Sequence, residues 1–223
     1  NPNMDVYSGE IQCAALGMDV DILDQNGKSL KQQKGELVCK TPFPSKPIYF
    51  WNDGSNKKYL NAYFQKYENI WHHGDYCEKT INNGYIIYGR SDATLNAGGV
   101  RIGTSEIYRV VENIDKIIEC VAVEHNLYTD TEVILFVKLN LNNRLDDKLI
   151  KNIKLEIRTN LSPKHIPSKI FEVSDIPKTK SGKIVELSIK NIINGMEIEN
   201  ENALANPDCL KEYQSIYNLL KEN

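Results

Sequence analysis

The sequence predicts an α+β fold in two parts, a β-rich region over residues 1–91 followed by a small α+β domain over residues 92–223. Up to about residue 90, short apolar runs alternate with turn residues, which is typical of strands. Beyond residue 93, one set of apolar residues recurs every four positions, which is the spacing of an amphipathic helix. We therefore place the boundary between Gly89 and Ala93.

The composition is that of a globular protein, with 223 residues of which 41% are hydrophobic and 26% charged. A net charge of −3 argues against a nucleic-acid partner, and no apolar run reaches the roughly 20 residues that a membrane span needs. The five cysteines are scattered without a Cys-x-x-Cys spacing, so we expect reduced, mostly buried thiols in a cytoplasmic protein and no zinc site. The chain does not begin with Met, so we expect it to start within a longer protein.

The β-rich part is predicted to contain strands joined by turns and a proline-rich loop. A polar turn is predicted at Asp24–Lys28, and the Asn82-Asn83-Gly84 turn precedes the last strand. The predicted strands are Gly9–Leu16, Val20–Leu23, Gly35–Cys39 and Tyr85–Tyr88.

The α+β part is predicted to begin with a hairpin or glycine-turned loop at Thr94–Ile102, with Gly98-Gly99 at its centre. Thr104 or Ser105 is predicted to cap a helix that runs through Val111. The longest predicted helix has an apolar stripe at Leu145, Leu149, Ile153, Ile157 and Leu161. Further predicted elements are strands at Cys120–Val123, Val133–Leu139 and Lys169–Val173, a helix at Val185–Ile193 and a last helix from Asn206-Pro207.

Three stretches combine glycine with charged residues at predicted turns, and the first is Trp71–Asp75. A carboxylate that follows a glycine at a strand end, as Asp75 does, can accept hydrogen bonds from two sugar hydroxyls. Capping a turn is the more ordinary role for such an aspartate. His72 and His73 would point to opposite faces of a strand, so they do not suggest a metal site.

The second stretch runs from Gly89-Arg90-Ser91-Asp92 to Asn96–Arg101. Arg90 and Arg101 carry permanent charge on a planar fork that suits phosphate or ribose oxygens. The paired glycines either let the backbone approach a ligand closely or make a turn. Without further context, an ordinary charged loop is the simpler interpretation.

The third stretch is Pro177–Lys183, which superficially resembles the end of a phosphate-binding P-loop. The earlier glycine of that motif is absent and Ile184 follows the lysine, so a Walker site is rejected. What remains is a lysine-rich loop that could present one ammonium to an oxyanion, or that simply carries solvated surface charge.

In this order, the three stretches resemble the C-terminal motifs of the adenylate-forming superfamily of acyl-CoA synthetases, luciferases and peptide-synthetase adenylation domains. Within it, the likeness is greatest to acetoacetate–CoA ligases, with a sister ligase for acetate or propionate as the alternative. Ala97 departs from the pattern, since proline is expected there. The resemblance covers essentially the whole chain and also rests on Tyr7–Gln12, Leu16–Val20, Phe50–Asp53, the histidine pair before Gly74, Gly98–Thr104, Ser162–Pro167 and Ala203–Pro207.

The resemblance implies an enzyme that works in two half-reactions. A carboxylate first attacks the α-phosphate of ATP to give an acyl-adenylate, and the thiol of CoA then displaces AMP. Lys183 matches the catalytic lysine of adenylation, whose ammonium stabilises the charge that builds in the transition state. Asp75 matches the residue that holds the ribose hydroxyls, and Arg90 would add a second nucleotide contact.

The resemblance also implies a moving domain and a CoA site. Asp92 matches the family's hinge, about which the C-terminal domain swings between the half-reactions. Gly99 would leave room for the pantetheine arm of CoA, and Arg101 and Arg158 would contact phosphates of CoA or AMP. No residue of the chain is assigned to a metal.

In the family, the ATP phosphate loop, the acid pocket and the glutamate that binds Mg²⁺ lie upstream of these motifs. We therefore expect the chain to contact a missing N-terminal domain, to be unable to complete adenylation alone, and to have exposed strand edges that favour association. The implied substrates are acetoacetate, ATP and CoA, in lipid and ketone body metabolism. A non-catalytic module that binds a nucleotide or a protein is the alternative from another class.

Overall fold

The computed structural model describes residues 1–128, 130–198 and 201–222. The chain divides into two compact units, Asn1–Asp92 and Ala93–Asn223, which we call unit 1 and unit 2. Both units combine strands with helices, and the predicted α+β class is confirmed. The assignment of unit 1 to a larger domain and of unit 2 to a mobile one stays a prediction. None of the helices within the described ranges is long and apolar enough to cross a membrane.

Unit 1 is built on an antiparallel sheet with the strand order β1-β2-β3-β4. Its elements are β1 (Val20–Leu23), β2 (Lys34–Cys39), α1 (Lys57–Tyr63), β3 (Trp71–Lys79) and β4 (Tyr85–Arg90). The helix α1 and the full extent of β3 were not predicted. The strand predicted at Gly9–Leu16 is wrong, because within that range Ile11 forms an isolated bridge to Tyr85 and the rest is irregular.

The apolar core of unit 1 is divided among small clusters. Ile22, Cys77 and Tyr85 form one of them on the sheet. Around Trp71 a second cluster is mainly aromatic, and Tyr63 from α1 stacks on the Trp71 ring with a centroid distance of 3.7 Å. This stacking fixes α1 against the start of β3.

Unit 2 begins with a two-stranded hairpin and continues with a three-stranded mixed sheet of the order β7-β8-β9. Strands β7 and β8 are antiparallel, whereas β8 and β9 are parallel. The strands are β5 (Leu95–Ala97), β6 (Val100–Ile102), β7 (Ile117–Asn126), β8 (Thr131–Leu139) and β9 (Lys169–Glu172). The helices are α2 (Thr104–Val111), α3 (Asp147–Asn160), α4 (Glu186–Ile193) and α5 (Leu210–Lys221).

Both faces of the β7–β8 sheet are covered, which explains the nearly continuous apolar runs in these strands. Val121, Val123 and Phe136 face a cluster that includes residues of α4 and α5. The alternate residues, such as Ala122 and Leu135, face a cluster that includes α2, α3 and the base of the hairpin.

Two helix starts show how local sequence sets the boundaries. Helix α3 is capped by Asp146, whose Oδ1 accepts a hydrogen bond from Leu149 N at 2.7 Å. The predicted cap of α2 is wrong: the cap is Gly103, whose N–H donates to Glu106 Oε1 at 2.9 Å. Gly103 has no side chain that could accept from the first turn, so the side-chain contact at this helix start is the one from Glu106 back to the Gly103 N–H.

The cysteines are unpaired; Cys13 is partly exposed, and the others are buried (Cys39, Cys77, Cys120 and Cys209). Burial raises the pKa of Cys77 to about 12 and the pKa of Cys209 to about 11. Burial also raises the pKa of Cys120 well above its usual value. The expectation of mostly buried thiols is confirmed, and their reduced state stays a prediction.

Candidate functional site

The residues predicted to bind a nucleotide meet where β3 pairs with β4. Asp75 lies opposite Arg90 in the antiparallel register, so it is inside β3 and not at a strand end as predicted. Arg90 Nη1 is 3.7 Å from Asp75 Oδ1, and Arg90 Nη2 is 3.2 Å from Asp92 Oδ2. One guanidinium thus lies between two carboxylates, which orients all three charged groups.

Gly74 allows this arrangement for two reasons. Its φ of +86° is in the left-handed region that favours glycine. A Cβ at this position would lie 2.9 Å from Arg90 Nη2. The glycine backbone also accepts a hydrogen bond from Ser91 N at 3.0 Å, so it fixes the segment that carries Arg90.

Asp75 retains capacity to bind a further donor. Its side chain is 19% exposed, and Oδ2 lies 2.5 Å from His73 Nδ1. Since an ionised carboxylate has about four acceptor positions, hydroxyl groups of a ligand can still bind. A neighbouring cleft of about 600 Å³ is lined by Arg90 and Asp92 among other residues.

A buried carboxylate supports this site, and sequence reasoning missed it. Glu36 on β2 is 1% exposed. It pairs with Lys66 Nζ at 2.6 Å and His72 Nε2 at 2.9 Å, and it accepts a hydrogen bond from Ser91 Oγ. Because Ser91 stands between Arg90 and Asp92, Glu36 anchors the end of β4 to the sheet. The available signal was a charged residue within the short apolar run of β2.

His72 and His73 point to different partners, Glu36 and Asp75, as expected for neighbours on one strand. Over the part of the chain that the structure describes, no group of three or more His, Cys, Asp or Glu side chains could hold a metal ion.

The predicted hairpin is confirmed, and its two glycines form the turn. Gly98 has φ +54° and Gly99 has φ +79°, which is the combination that a two-residue turn of this hand requires. A Cβ at Gly99 would meet no atom within 4 Å, whereas a Cβ at Gly98 would lie 2.5 Å from Lys164 Nζ. The turn is therefore open at Gly99 and covered by a lysine at Gly98.

The two arginines predicted to bind CoA lie on different elements of unit 2. Arg101 is on β6 and is half-buried, and its Nε donates to Thr94 Oγ1 at 3.0 Å. Arg158 is exposed in the last turn of α3. The first is held in place by the hairpin, and the second projects into solvent.

Lys183 lies in a tight turn just before α4. Thr179 N donates to Lys183 O at 2.8 Å, and Gly182 N donates to Thr179 O at 2.8 Å. Lys183 N also donates to Thr179 Oγ1 at 3.1 Å. The side chain of Lys183 is exposed, while Lys178 at the start of the loop pairs with Glu119 Oε1 at 2.5 Å. The turn thus fixes the backbone of Lys183 and leaves its ammonium available.

Comparison with known families shows which class of protein this chain is similar to. Residues 106–183 match the family model described as the AMP-binding enzyme C-terminal domain. The matched residues lie within unit 2, so this unit is similar to the C-terminal domain of AMP-binding enzymes.

The particular relatives are acetoacetyl-CoA synthetases. The enzyme of Rhizobium meliloti (strain 1021) is 47% identical over 98% of this chain and 34% of its own length. The enzyme of Gallus gallus is 44% identical over 97% of this chain and 33% of its own length. The structure of the acetoacetyl-CoA synthetase from Streptomyces lividans superposes with a TM-score of 0.91 and 38% identity over 97% of this chain and 33% of that one.

The chain spans about a third of the length of these relatives. The resemblance to acetoacetate–CoA ligases that the motifs indicated is confirmed as homology over nearly the whole chain. The roles of the individual site residues stay predictions.

Proposed function

We propose that this chain forms the C-terminal part of an AMP-forming ligase that converts acetoacetate, ATP and CoA into acetoacetyl-CoA, AMP and pyrophosphate. The observation that carries the proposal is the 47% identity to an acetoacetyl-coenzyme A synthetase over 98% of the chain. The acid pocket, the ATP phosphate loop and the Mg²⁺ ligand belong to the part of such a ligase that lies upstream. A cytoplasmic location and a place in ketone body metabolism follow as parts of the proposal.

In the first half-reaction, the residues of unit 1 would position the nucleotide. Asp75 would accept hydrogen bonds from the ribose hydroxyls, and Arg90, held by Asp75 and Asp92, would add a second contact. The exposed ammonium of Lys183 would bridge the α-phosphate and the attacking carboxylate, where negative charge accumulates in the transition state.

In the second half-reaction, the hairpin of unit 2 would face the adenylate. The open turn at Gly99 would admit the pantetheine arm, and Arg101 and Arg158 would bind phosphate oxygens of CoA or AMP. Asp92 would be the hinge between the two arrangements, and it is the last residue of unit 1.

The proposal is tested on the complete gene product by two assays: ATP–pyrophosphate exchange with acetoacetate, acetate and propionate, and thioester formation from supplied acyl-adenylate. Lys183→Ala is expected to slow exchange by roughly 10²–10³ and to leave thioester formation from the adenylate intact. Lys180→Ala is the matched control, because it removes another exposed lysine from the same turn.

Failure of every acid to support exchange would overturn the ligase assignment. A preference for acetate or propionate would overturn the choice of acid alone. Equal losses in Lys183→Ala and Lys180→Ala would show that the loop contributes general charge and that Lys183 has no specific role.

A further inference from the structure

The hairpin β5–β6 packs on the core of unit 2 mainly through its base, and Ala97 next to the turn is partly buried against the same cluster. Leu95 and Ile102 are each 1% exposed and belong to the core of unit 2. Towards the turn the hairpin is exposed, and Val100 is 45% exposed. The apolar contacts are therefore fewest at the Gly98-Gly99 turn, where polar contacts add to them.

The backbone of Asn96 turns away from β6. In an antiparallel pair, hydrogen-bonded and non-hydrogen-bonded residue pairs alternate. Ala97 and Val100 flank the two-residue turn as one pair, and Asn96 and Arg101 form the next. The N–H and C=O of Asn96 accordingly point out of the hairpin, where an unpaired strand edge would leave them without partners.

Two side chains of the neighbouring β7–β8 sheet form hydrogen bonds with the N–H and the C=O of Asn96. Asn96 N donates to Glu124 Oε1 on β7 at 3.0 Å. Thr131 Oγ1 on β8 donates to Asn96 O at 2.7 Å. We call this pair of hydrogen bonds the Asn96 clamp. It joins the outer half of the hairpin to the β7–β8 sheet at a residue two positions before Gly98.

Glu124 is itself held from the other side by α4. Its Oε2 pairs with Lys190 Nζ at 3.2 Å, and its side chain is 13% exposed. Asn194, at the end of α4, donates from Nδ2 to Glu124 O at 2.9 Å. Helix α4, which follows the Lys183 turn, therefore holds the Glu124 carboxylate in place. That carboxylate in turn binds the hairpin at Asn96.

We propose that Glu124 and Thr131 are positioning residues for the second half-reaction, because the Asn96 clamp holds the Gly98-Gly99 turn in the arrangement that admits the pantetheine arm of CoA. The inference rests on the proposed function and names the residues that set the geometry of its thioester-forming step. Neither side chain contacts CoA in this scheme. Their effect passes through the backbone of Asn96.

The first test measures the clamp directly, by amide hydrogen exchange of the complete gene product. Glu124→Ala removes the acceptor for Asn96 N, so exchange at that amide is expected to rise about fivefold to tenfold, the effect of losing one hydrogen bond. Glu132→Gln is the matched control, since it changes another carboxylate of the same sheet, which binds Ser168 and Lys169. Unchanged exchange at Asn96 in Glu124→Ala would overturn the clamp.

The second test separates the half-reactions. Glu124→Ala and Thr131→Val are each expected to lower kcat/KM for CoA about tenfold and to leave pyrophosphate exchange within about twofold of wild type. Glu124→Gln keeps an oxygen that can accept from Asn96 N, so it is expected to recover part of the loss. A merely structural role would lower both half-reactions together and would do so in Glu132→Gln as well.

The outcomes distinguish the inference from the proposed function. Faster exchange at Asn96 with unchanged CoA kinetics would overturn the positioning role. A wild-type protein without exchange or thioester activity would overturn the proposed function and the catalytic part of the inference together. In that case the hydrogen exchange at Asn96 would still decide whether the clamp exists.

Discussion

The two units of this protein are stabilised in different ways. In unit 2, apolar clusters cover both faces of the β7–β8 sheet and reach every neighbouring helix. In unit 1, the core is divided into small clusters. Unit 1 instead orders its site residues with polar contacts, above all those of Glu36.

This difference bears on how each unit positions functional groups. Apolar packing holds most elements of unit 2 together, and polar contacts such as the Asn96 clamp add to it at the edge of the sheet. In unit 1, a buried carboxylate takes the place of a large core, and such a network is costly to disturb because a partner left alone in the interior loses its hydration.

The largest expected difference concerns matched core substitutions. Ile153 in unit 2 and Ile22 in unit 1 are both fully buried. Ile153→Ala should cost about 4 kcal/mol and Ile22→Ala about 2–3 kcal/mol, because the smaller cluster around Ile22 can relax around the cavity. Denaturant unfolding measures both, with tryptophan fluorescence for unit 1, which holds Trp51 and Trp71, and methyl NMR signals for unit 2. Equal losses of stability in Ile153→Ala and Ile22→Ala would contradict the proposed difference between the cores of the two units.

A second test concerns a charge network of unit 2. Burial alone would raise the pKa of Glu132, but hydrogen bonds with Lys169, Ser168 and His125 hold that pKa at about 2. A lowered carboxyl pKa contributes stability that is complete above about pH 4.5 and is lost as the pH falls towards 2.

Glu132→Gln should therefore cost roughly 2–3 kcal/mol near neutral pH. The cost should shrink steadily below about pH 4.5, because the carboxylate of the unfolded chain is then protonated while that of the folded protein stays ionised down to about pH 2. This cost in free energy of unfolding is measured by denaturant titrations of the wild type and Glu132→Gln at several pH values. Methyl NMR signals of β7 and β8 report the unfolding. A difference that does not change with pH would mean that the network acts through packing.

A smaller effect is expected from two glycines of unit 1. Gly74 and Gly27 both have positive φ, at +86° and +79°. Alanine at either position should cost about 1–2 kcal/mol through backbone strain. A Cβ would lie 2.9 Å from Arg90 at Gly74, but at Gly27 the nearest atom is 3.7 Å away on Tyr67.

Gly74→Ala alone should therefore weaken AMP binding to the complete gene product, by about tenfold if one charged contact is lost. Calorimetric titration with AMP measures the affinity of both variants. Equal affinities would mean that the position of Arg90 does not matter for nucleotide binding.

The smallest expected effect concerns a helix cap. Asp146→Ala should cost about 1 kcal/mol, because it removes the acceptor for Leu149 N at the start of α3. Asp147→Ala, one residue further on, should cost a few tenths of a kcal/mol through the helix dipole alone. Thermal unfolding of the two variants compares them, and equal shifts in Tm would show that the cap contributes nothing specific.

Structural features that depend on local sequence signals were predicted correctly. The two adjacent glycines predicted the hairpin, and residues four apart predicted α3, where Leu149, Ile153 and Ile157 are buried. The ends of the apolar stripe, Leu145 and Leu161, fall just outside the helix. Apolar spacing shows which face is buried but does not fix where a helix ends.

Features that depend on pairing between distant residues were missed. Glu36 is separated from Lys66, His72 and Ser91 by 30, 36 and 55 residues. The one local signal was that Glu36 interrupts a short apolar run, but a charged residue inside a strand is ordinarily expected on the solvent face. The strand predicted at Gly9–Leu16 failed for a related reason, since its composition was suitable but no neighbouring strand pairs with it continuously.

The unequal exposure of the thiols has a practical consequence. Alkylating reagents attack the thiolate, and burial protects Cys77, Cys120 and Cys209 while raising each pKa. A maleimide dye at neutral pH should therefore attach first to Cys13, in unit 1. Among the cysteines of this chain, Cys13 is thus the position at which a fluorescent reporter would attach first.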